Sequence, residues 1–112
     1  MLFRSNAARV GAILLDGLRA AIGRHGIVGD VRGKGLMLAI ELVEPGTTNP
    51  NGYATGRVFE ECKRRGLLVG KGGLYGNTIR MGPPLTLTED EAREGLAILL
   101  DSIAAVDGEV GA

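Results

Sequence analysis

The chain has 112 residues and a mass of 11.7 kDa, the size of one domain and too little for two. Hydrophobic residues at 45% and charged residues at 23% lie near globular averages, which argues against a disordered or fibrous chain. Thirteen Lys and Arg balance thirteen Asp and Glu, so no basic surplus draws in phosphate backbones or anionic lipid, and neither nucleic acid nor a membrane is expected as partner.

In chain order, Phe3, Ala7, Val10, Leu14, Leu18, Ala21 and Ile22 recur at spacings of three and four, which predicts one buried stripe of a helix from residue 3 to about residue 24. Arg4, Arg9, Asp16 and Arg19 fall on its other face. The helix starts without a recognisable cap, as a segment cut from a longer chain would. Gly26, after His25, is expected as a left-handed C-terminal stop. Residues 27–31 and 36–43 read as strands. The second places Leu36, Leu38, Ile40 and Leu42 on one face and Met37, Ala39, Glu41 and Val43 on the other. Gly33 and Gly35 are expected to kink or bulge the chain between them. Residues 45–52, rich in Pro, Gly, Thr and Asn, read as a surface loop.

A second helix is predicted over residues 54–65, burying Ala54, Val58, Phe59 and Cys62, with the basic turn Lys63-Arg64-Arg65 set against the helix dipole and Gly66 as its stop. Residues 67–69 and 78–81 read as short strands joined by a glycine-rich loop, 70–76. Thr88 and Glu91 form a capping box ahead of a third helix, whose stripe is Ala92, Leu96, Leu99, Ile103 and Val106. The order α-β-β-α-β-β-α predicts an α+β domain, a small, mainly antiparallel sheet covered by helices.

Little of this invites chemistry. With one cysteine, Cys62, and one histidine, His25, an intrachain disulfide, a multi-cysteine metal site and a serine–histidine triad are all disfavoured, and a reducing cytoplasmic setting is expected. Cys62 lies on an apolar stripe as a small buried hydrophobe, and His25 reads as a helix-dipole partner. Two stretches, 29–35 and 66–72, share the form GxxxGKG. Both lack the spacing and the Ser or Thr of a phosphate-binding loop, and their glycines are taken as tight turns between strands. Arg80 is different. Ile79 and Met81 point to the opposite side of its strand, which runs into Gly82-Pro83-Pro84 and ends open. A guanidinium held there could grip a carboxylate with two hydrogen bonds, or form a structural salt bridge to Glu41 or another acid. The bare pattern leaves both readings open.

Three segments in order, GDVRGKGLMLAIEL at 29–42, RGLLVGKGG at 65–73 and NTIRMGPPLTLT at 77–88, resemble the C-terminal small domain of class-III pyridoxal-phosphate-dependent aminotransferases, in the branch of the alanine–glyoxylate and 4-aminobutyrate enzymes. The resemblance runs from about residue 9 to residue 106. It implies a fold-type-I enzyme that moves an amino group between an amino acid and a 2-oxo acid, with residues 1–112 as the substrate-closing small domain. It further implies a large, cofactor-holding domain upstream in the same chain and a homodimer. It also implies that Arg80, at the arginine of the N-x-I-R-x-x-P-P segment, binds a substrate carboxylate. None of Lys34, Lys63 and Lys71 lies in a segment matching the family's Schiff-base lysine, so pyridoxal 5'-phosphate belongs to the full-length enzyme and is not expected to be bound by these residues alone. No catalytic residue and no metal ligand is assigned. The alternative is a free-standing α+β small-molecule-binding or regulatory module without catalysis.

Overall fold

Apolar residues at spacings of three and four wind the first segment into α1, Leu2–Arg19, in a computed structural model that describes residues 2–83 and 86–111, with side chains from 6 to 83 and from 86 to 109. Ala7, Val10, Leu14 and Leu18 are buried as the stripe requires. Phe3 and Arg4, assigned to opposite faces of the helix, have side chains outside the described residues. The helix ends five residues earlier than the stripe predicts. Amides bonded three residues back, Ala21 to Leu18 at 3.0 Å and Ile22 to Arg19 at 3.1 Å, convert the segment after Arg19 into turns. That rotation keeps Ala21 in the core but turns Ile22 outward, 41% exposed. Gly26 is not left-handed, because the chain has already left the helix when it reaches it; the positive-φ glycines include Gly35 and Gly66, not Gly26.

The first two strands form a hairpin, β1, Val28–Lys34, and β2, Met37–Leu42. Its two-residue connection places Gly35 at φ +58°, a conformation that a side chain resists. Gly33 does not break the strand; it pairs with Leu38, and the register shift lies instead between Val28 and Asp30. On β2 the expected alternation holds, with Leu38, Ile40 and Leu42 buried and Met37 exposed. The predicted outer position of Val43 does not. It bridges to Pro50 and is buried at 8%.

Helix α2, Gly52–Arg64, starts two residues early because the Asn51 side chain accepts the Ala54 amide at 3.0 Å, a cap drawn from the end of the predicted loop. It buries Ala54, Thr55, Val58 and Cys62. Strand β3 is Gly70–Gly72 and not residues 67–69, so the glycine-rich loop begins as a strand and its apolar predecessor is a connector in which Leu68 is 84% exposed. Strand β4, Thr78–Met81, matches its prediction. Helix α3, Glu89–Gly111, follows the capping box: the Thr88 amide donates to Glu91 Oε1 at 3.0 Å and the Glu91 amide to Thr88 Oγ1 at 3.1 Å.

The sheet order is β1-β2-β4-β3, antiparallel throughout, and the α+β class and the order of elements are as predicted. The buried side of the sheet meets the helices. Val31, Leu38, Ile40, Ile79 and Met81 join Val10, Leu14, Val58, Leu99 and Ile103 in one core. The other side carries Asp30, Arg32, Met37, Ala39, Glu41 and Arg80 and, among the described residues, no helix. This asymmetry of a two-layer domain sets up the candidate site.

Candidate functional site

Because side chains alternate along a strand, the pairing of the strands fixes which residues are neighbours on the open face. Arg32 on β1 is opposite Ala39 on β2, Ala39 is opposite Arg80 on β4, and Arg80 is opposite Gly70 on β3. One row of the sheet therefore reads Arg32, Ala39, Arg80, Gly70. The next row reads Asp30, Glu41, Thr78, Gly72. The single methyl of Ala39 leaves a depression between the two arginines, and a cleft of about 410 Å³ lies there, walled by Arg32, Met37, Ala39, Arg80, Met81 and Gly82.

The two arginines differ electrostatically. Arg32 donates to Glu41 Oε1 at 3.0 Å and stands 3.6 Å from Asp30, so its charge is balanced locally. Arg80, exposed on the face, has no carboxylate partner among the described residues, and the salt bridge to Glu41 that the sequence left open is taken by Arg32. Ile79, at 0% exposure, and Met81, at 8%, anchor β4 from below. Arg80 thus projects from a rigid strand. Pro84, at the open end of that strand, lies outside the described residues. Arg32, Ala39 and Gly72 were not singled out in the sequence; the period of two in Gly70-Lys71-Gly72 was the available signal, once that segment is recognised as a strand.

Other charged and reactive groups serve the fold. Glu61 collects Arg57 at 3.1 Å, Arg64 at 2.7 Å and Arg65 at 2.8 Å. The hydrogen bond from Arg64 leads in holding its carboxyl below the usual range. Lys63-Arg64-Arg65 is thus partly neutralised by Glu61, beyond its effect on the helix dipole. His25 does not serve the end of α1, six residues away; its Nδ1 is 3.4 Å from Asp107 on α3. Cys62 is at 0% exposure, and burial pushes its thiol up, which keeps it an unreactive core group. Among the described residues no cluster of three His, Cys, Asp or Glu side chains could hold a metal ion, and no helix is long and apolar enough to cross a membrane.

The fold is that of a known class. The family described as Aminotransferase class-III matches residues 2–103, and the chain belongs to it. Over 90 residues it is 43% identical to alanine–glyoxylate aminotransferase 2 homolog 2, mitochondrial, of Arabidopsis thaliana, covering 80% of this chain and 19% of that protein. It is 41% identical over 106 residues to the 5-aminovalerate aminotransferase of Pseudomonas putida, covering 95% of this chain and 24% of that one. Among solved structures, an amine transaminase from an uncultivated Pseudomonas species in its PLP-bound form superposes with a TM-score of 0.81 at 41% identity, over 93% of this chain and 24% of the other. The chain spans a quarter or less of the length of these proteins.

Proposed function

We propose that these residues are the C-terminal small domain of a pyridoxal-phosphate-dependent aminotransferase that moves an amino group between an amino acid and a 2-oxo acid, and that Arg80 binds the substrate carboxylate. The observation that carries the reading is Arg80 itself, a guanidinium without a carboxylate partner among the described residues, on an uncovered sheet face beside a cleft. Two parallel N–H donors match the two oxygens of a carboxylate, and the fork fixes the carboxylate's plane as well as its position. The apolar walls at Ala39 and Met37 suit the carbon chain that follows. Holding the substrate at one end orients its reacting carbon for chemistry supplied elsewhere.

That chemistry belongs to the cofactor, and the described residues of this chain do not fit it. A phosphate cradle needs open amides at a helix start. At the start of α2 the Asn51 side chain already takes the Ala54 amide, and the start of α3 carries its capping box, with Glu89, Asp90 and Glu91 in its first turn. Of the lysines, Lys71 stands over the Phe59 ring on the helix side of the sheet, 5.0 Å from its centroid, Lys34 is exposed, and Lys63 is exposed at the edge of a charged surface depression shared with Arg57, Glu60, Glu61 and Arg64. The proposal therefore includes a large domain upstream in the same chain that holds pyridoxal phosphate, a homodimer, and a cytoplasmic setting suited to one free, buried thiol.

The test uses the full-length protein. Reduction with borohydride in the presence of pyridoxal phosphate, followed by peptide mapping, is expected to label one lysine outside residues 1–112, and amino transfer from a carboxylate donor to a 2-oxo acid is expected to fall sharply in Arg80→Ala. Stoichiometric labelling of Lys34, Lys63 or Lys71, or an Arg80→Ala enzyme with undiminished transfer, would sink the reading.

A further inference from the structure

Strand β3 presents glycine at both positions on the open face, Gly70 and Gly72, while Lys71 between them turns to Phe59 on the other side. Neither glycine has a positive φ, so the backbone does not call for glycine at either place. Glycine inside a strand weakens it by adding entropy to the unfolded chain and removing a side chain from the surface. Some other property has to account for Gly72.

That property is room for one group. Arg80 lies opposite Gly70, but its side chain runs diagonally along the edge strand toward the next row. A methyl group on Gly72 would stand 2.9 Å from Nη2, 3.2 Å from Cζ and 3.6 Å from Nη1 of Arg80. The same methyl on Gly70 would meet only the Arg80 Cβ at 3.9 Å and its carbonyl oxygen at 4.0 Å, ordinary contacts. The two glycines thus differ: at Gly70 a side chain fits, and at Gly72 it takes the place of the guanidinium. The displaced atoms end a flexible chain, so the strand can keep its pairing while the guanidinium moves.

We infer that Gly72 is a positioning residue for substrate binding, its bare Cα forming the floor on which the Arg80 guanidinium rests and setting the height and plane of the fork that receives the carboxylate. The inference rests on the reading of Arg80 as the carboxylate-binding group. A methyl at residue 72 lifts the fork out of that plane without removing its charge. The loss then appears in the handling of carboxylate substrates and not in the fold.

The experiment compares Gly72→Ala, Gly70→Ala, Arg80→Ala and the double variant Gly72→Ala/Arg80→Ala in the full-length enzyme, in steady-state kinetics with a carboxylate-bearing amine and with a matched amine lacking the carboxylate. Displacement of a binding group by about an ångström costs on the order of ten- to a hundredfold. Gly72→Ala is expected to lose that much in kcat/KM with the carboxylate donor, mostly through KM, and at least about fivefold less with the other amine. Gly70→Ala should stay close to wild type, and melting temperatures should hold in both. On the Arg80→Ala background Gly72→Ala should cause no further loss. If Arg80→Ala discriminates between the two amines while Gly72→Ala behaves as Gly70→Ala does, the positioning role is wrong and the clamp stands. If Arg80→Ala does not discriminate, both fall. Equal loss on both amines with early melting would make Gly72 a structural residue only.

Discussion

Glu41 is shared territory between two arginines and is held by Arg32, at 3.0 Å. In the sheet register Arg32 and Arg80 both face Ala39, one from each side, so both stand diagonally to Glu41, a separation that long side chains span. The carboxylate turned toward Arg32 is a carboxylate kept from Arg80. Removing Arg32 is then expected to harm substrate binding from across the sheet, because Glu41 is freed to occupy the fork. An exposed pair of this kind is worth ~0.2–1 kcal/mol, so Arg32→Ala should raise KM for a carboxylate substrate by up to about fivefold in the full-length enzyme. Adding Glu41→Gln should bring KM back. A double variant no better than Arg32→Ala would show that Glu41 does not compete for Arg80.

The contact between α1 and the first hairpin yields a prediction of opposite sign at two glycines. A methyl on Gly11 would lie 2.0 Å from the carbonyl oxygen of Gly35, whereas one on Gly56 in α2 meets nothing within 4 Å. Alanine gains ~1 kcal/mol over glycine in a helix interior. At residue 56 that gain is unopposed, and Gly56→Ala should raise the melting temperature. At residue 11 the obstacle is backbone held in a tight turn, and overpacking of ~1–3 kcal/mol should outweigh the propensity, so Gly11→Ala should melt earlier. Thermal melts of both variants decide it, and a stabilised Gly11→Ala would mean that α1 slides freely over the hairpin.

What the sequence disclosed and what it hid divide along the range of the interactions. The capping box at Thr88 and Glu91 is a four-residue device, and its two hydrogen bonds are present as read. The alternation of Leu38, Ile40 and Leu42 and the outward direction of Arg80 follow from the period of a strand. Residues 67–69 carry apolar side chains that look like a strand, yet Gly70, Lys71 and Gly72 make the pairs with β4. Pairing is decided by the partner strand's register and not by the side chains of the segment itself. The end of α1 was hidden for a similar reason: the apolar stripe continues past Arg19, and the turns that follow bring Ala21 into the core with Ile27 and Val106. For the candidate site, the sequence singled out Arg80 but not its surroundings. Ala39 and Arg32 are distant in sequence and reach it only through the strand order β1-β2-β4-β3, and Gly72 reaches it only once residues 70–72 are paired as a strand with β4.

Glu61 predicts how stability responds to acid. Its carboxyl is held below the ordinary value of 4.5, first by the hydrogen bond from Arg64 and then by that from Arg57, against some cost of burial. The folded pKa lies below the unfolded one, so the unfolded chain binds the proton first on acidification. The stabilisation is complete above the unfolded value and is lost as pH falls through the folded one. Glu91 and Glu109 are shifted the same way, by the Thr88 amide and by Arg57. Urea melts between pH 3 and pH 6 ( range) should therefore show stability climbing with pH, and Glu61→Gln should flatten part of that slope while leaving the share of the other two. Added salt should shallow it further, since these pairs face solvent. An unchanged slope in Glu61→Gln would mean that its three arginines contribute nothing net.

The last prediction separates charge from shape at Arg80. Arg80→Lys keeps a cation on β4 but replaces a planar fork with a single ammonium, so attraction to a carboxylate persists while its orientation is lost. Arg80→Ala removes both. Truncating one partner of a buried charge pair costs ~2–5 kcal/mol in binding, and Arg80→Ala should approach that range once substrate and the rest of the enzyme cover the open face, with Arg80→Lys in between. Both half-reactions should suffer when their substrates carry a carboxylate, and much less with an amine donor that lacks one. Cofactor absorbance should stay close to wild type, because none of the described residues contributes a phosphate cradle. Ile79 and Met81 still anchor the strand in either variant, and Arg80 has no carboxylate partner among the described residues to lose, so melting temperatures should hold. Single-turnover kinetics with the matched amines, read beside the melts, give the answer: equal losses on both amines together with early melting would make Arg80 a structural residue, and an Arg80→Lys enzyme equal to wild type would show that charge alone is recognised.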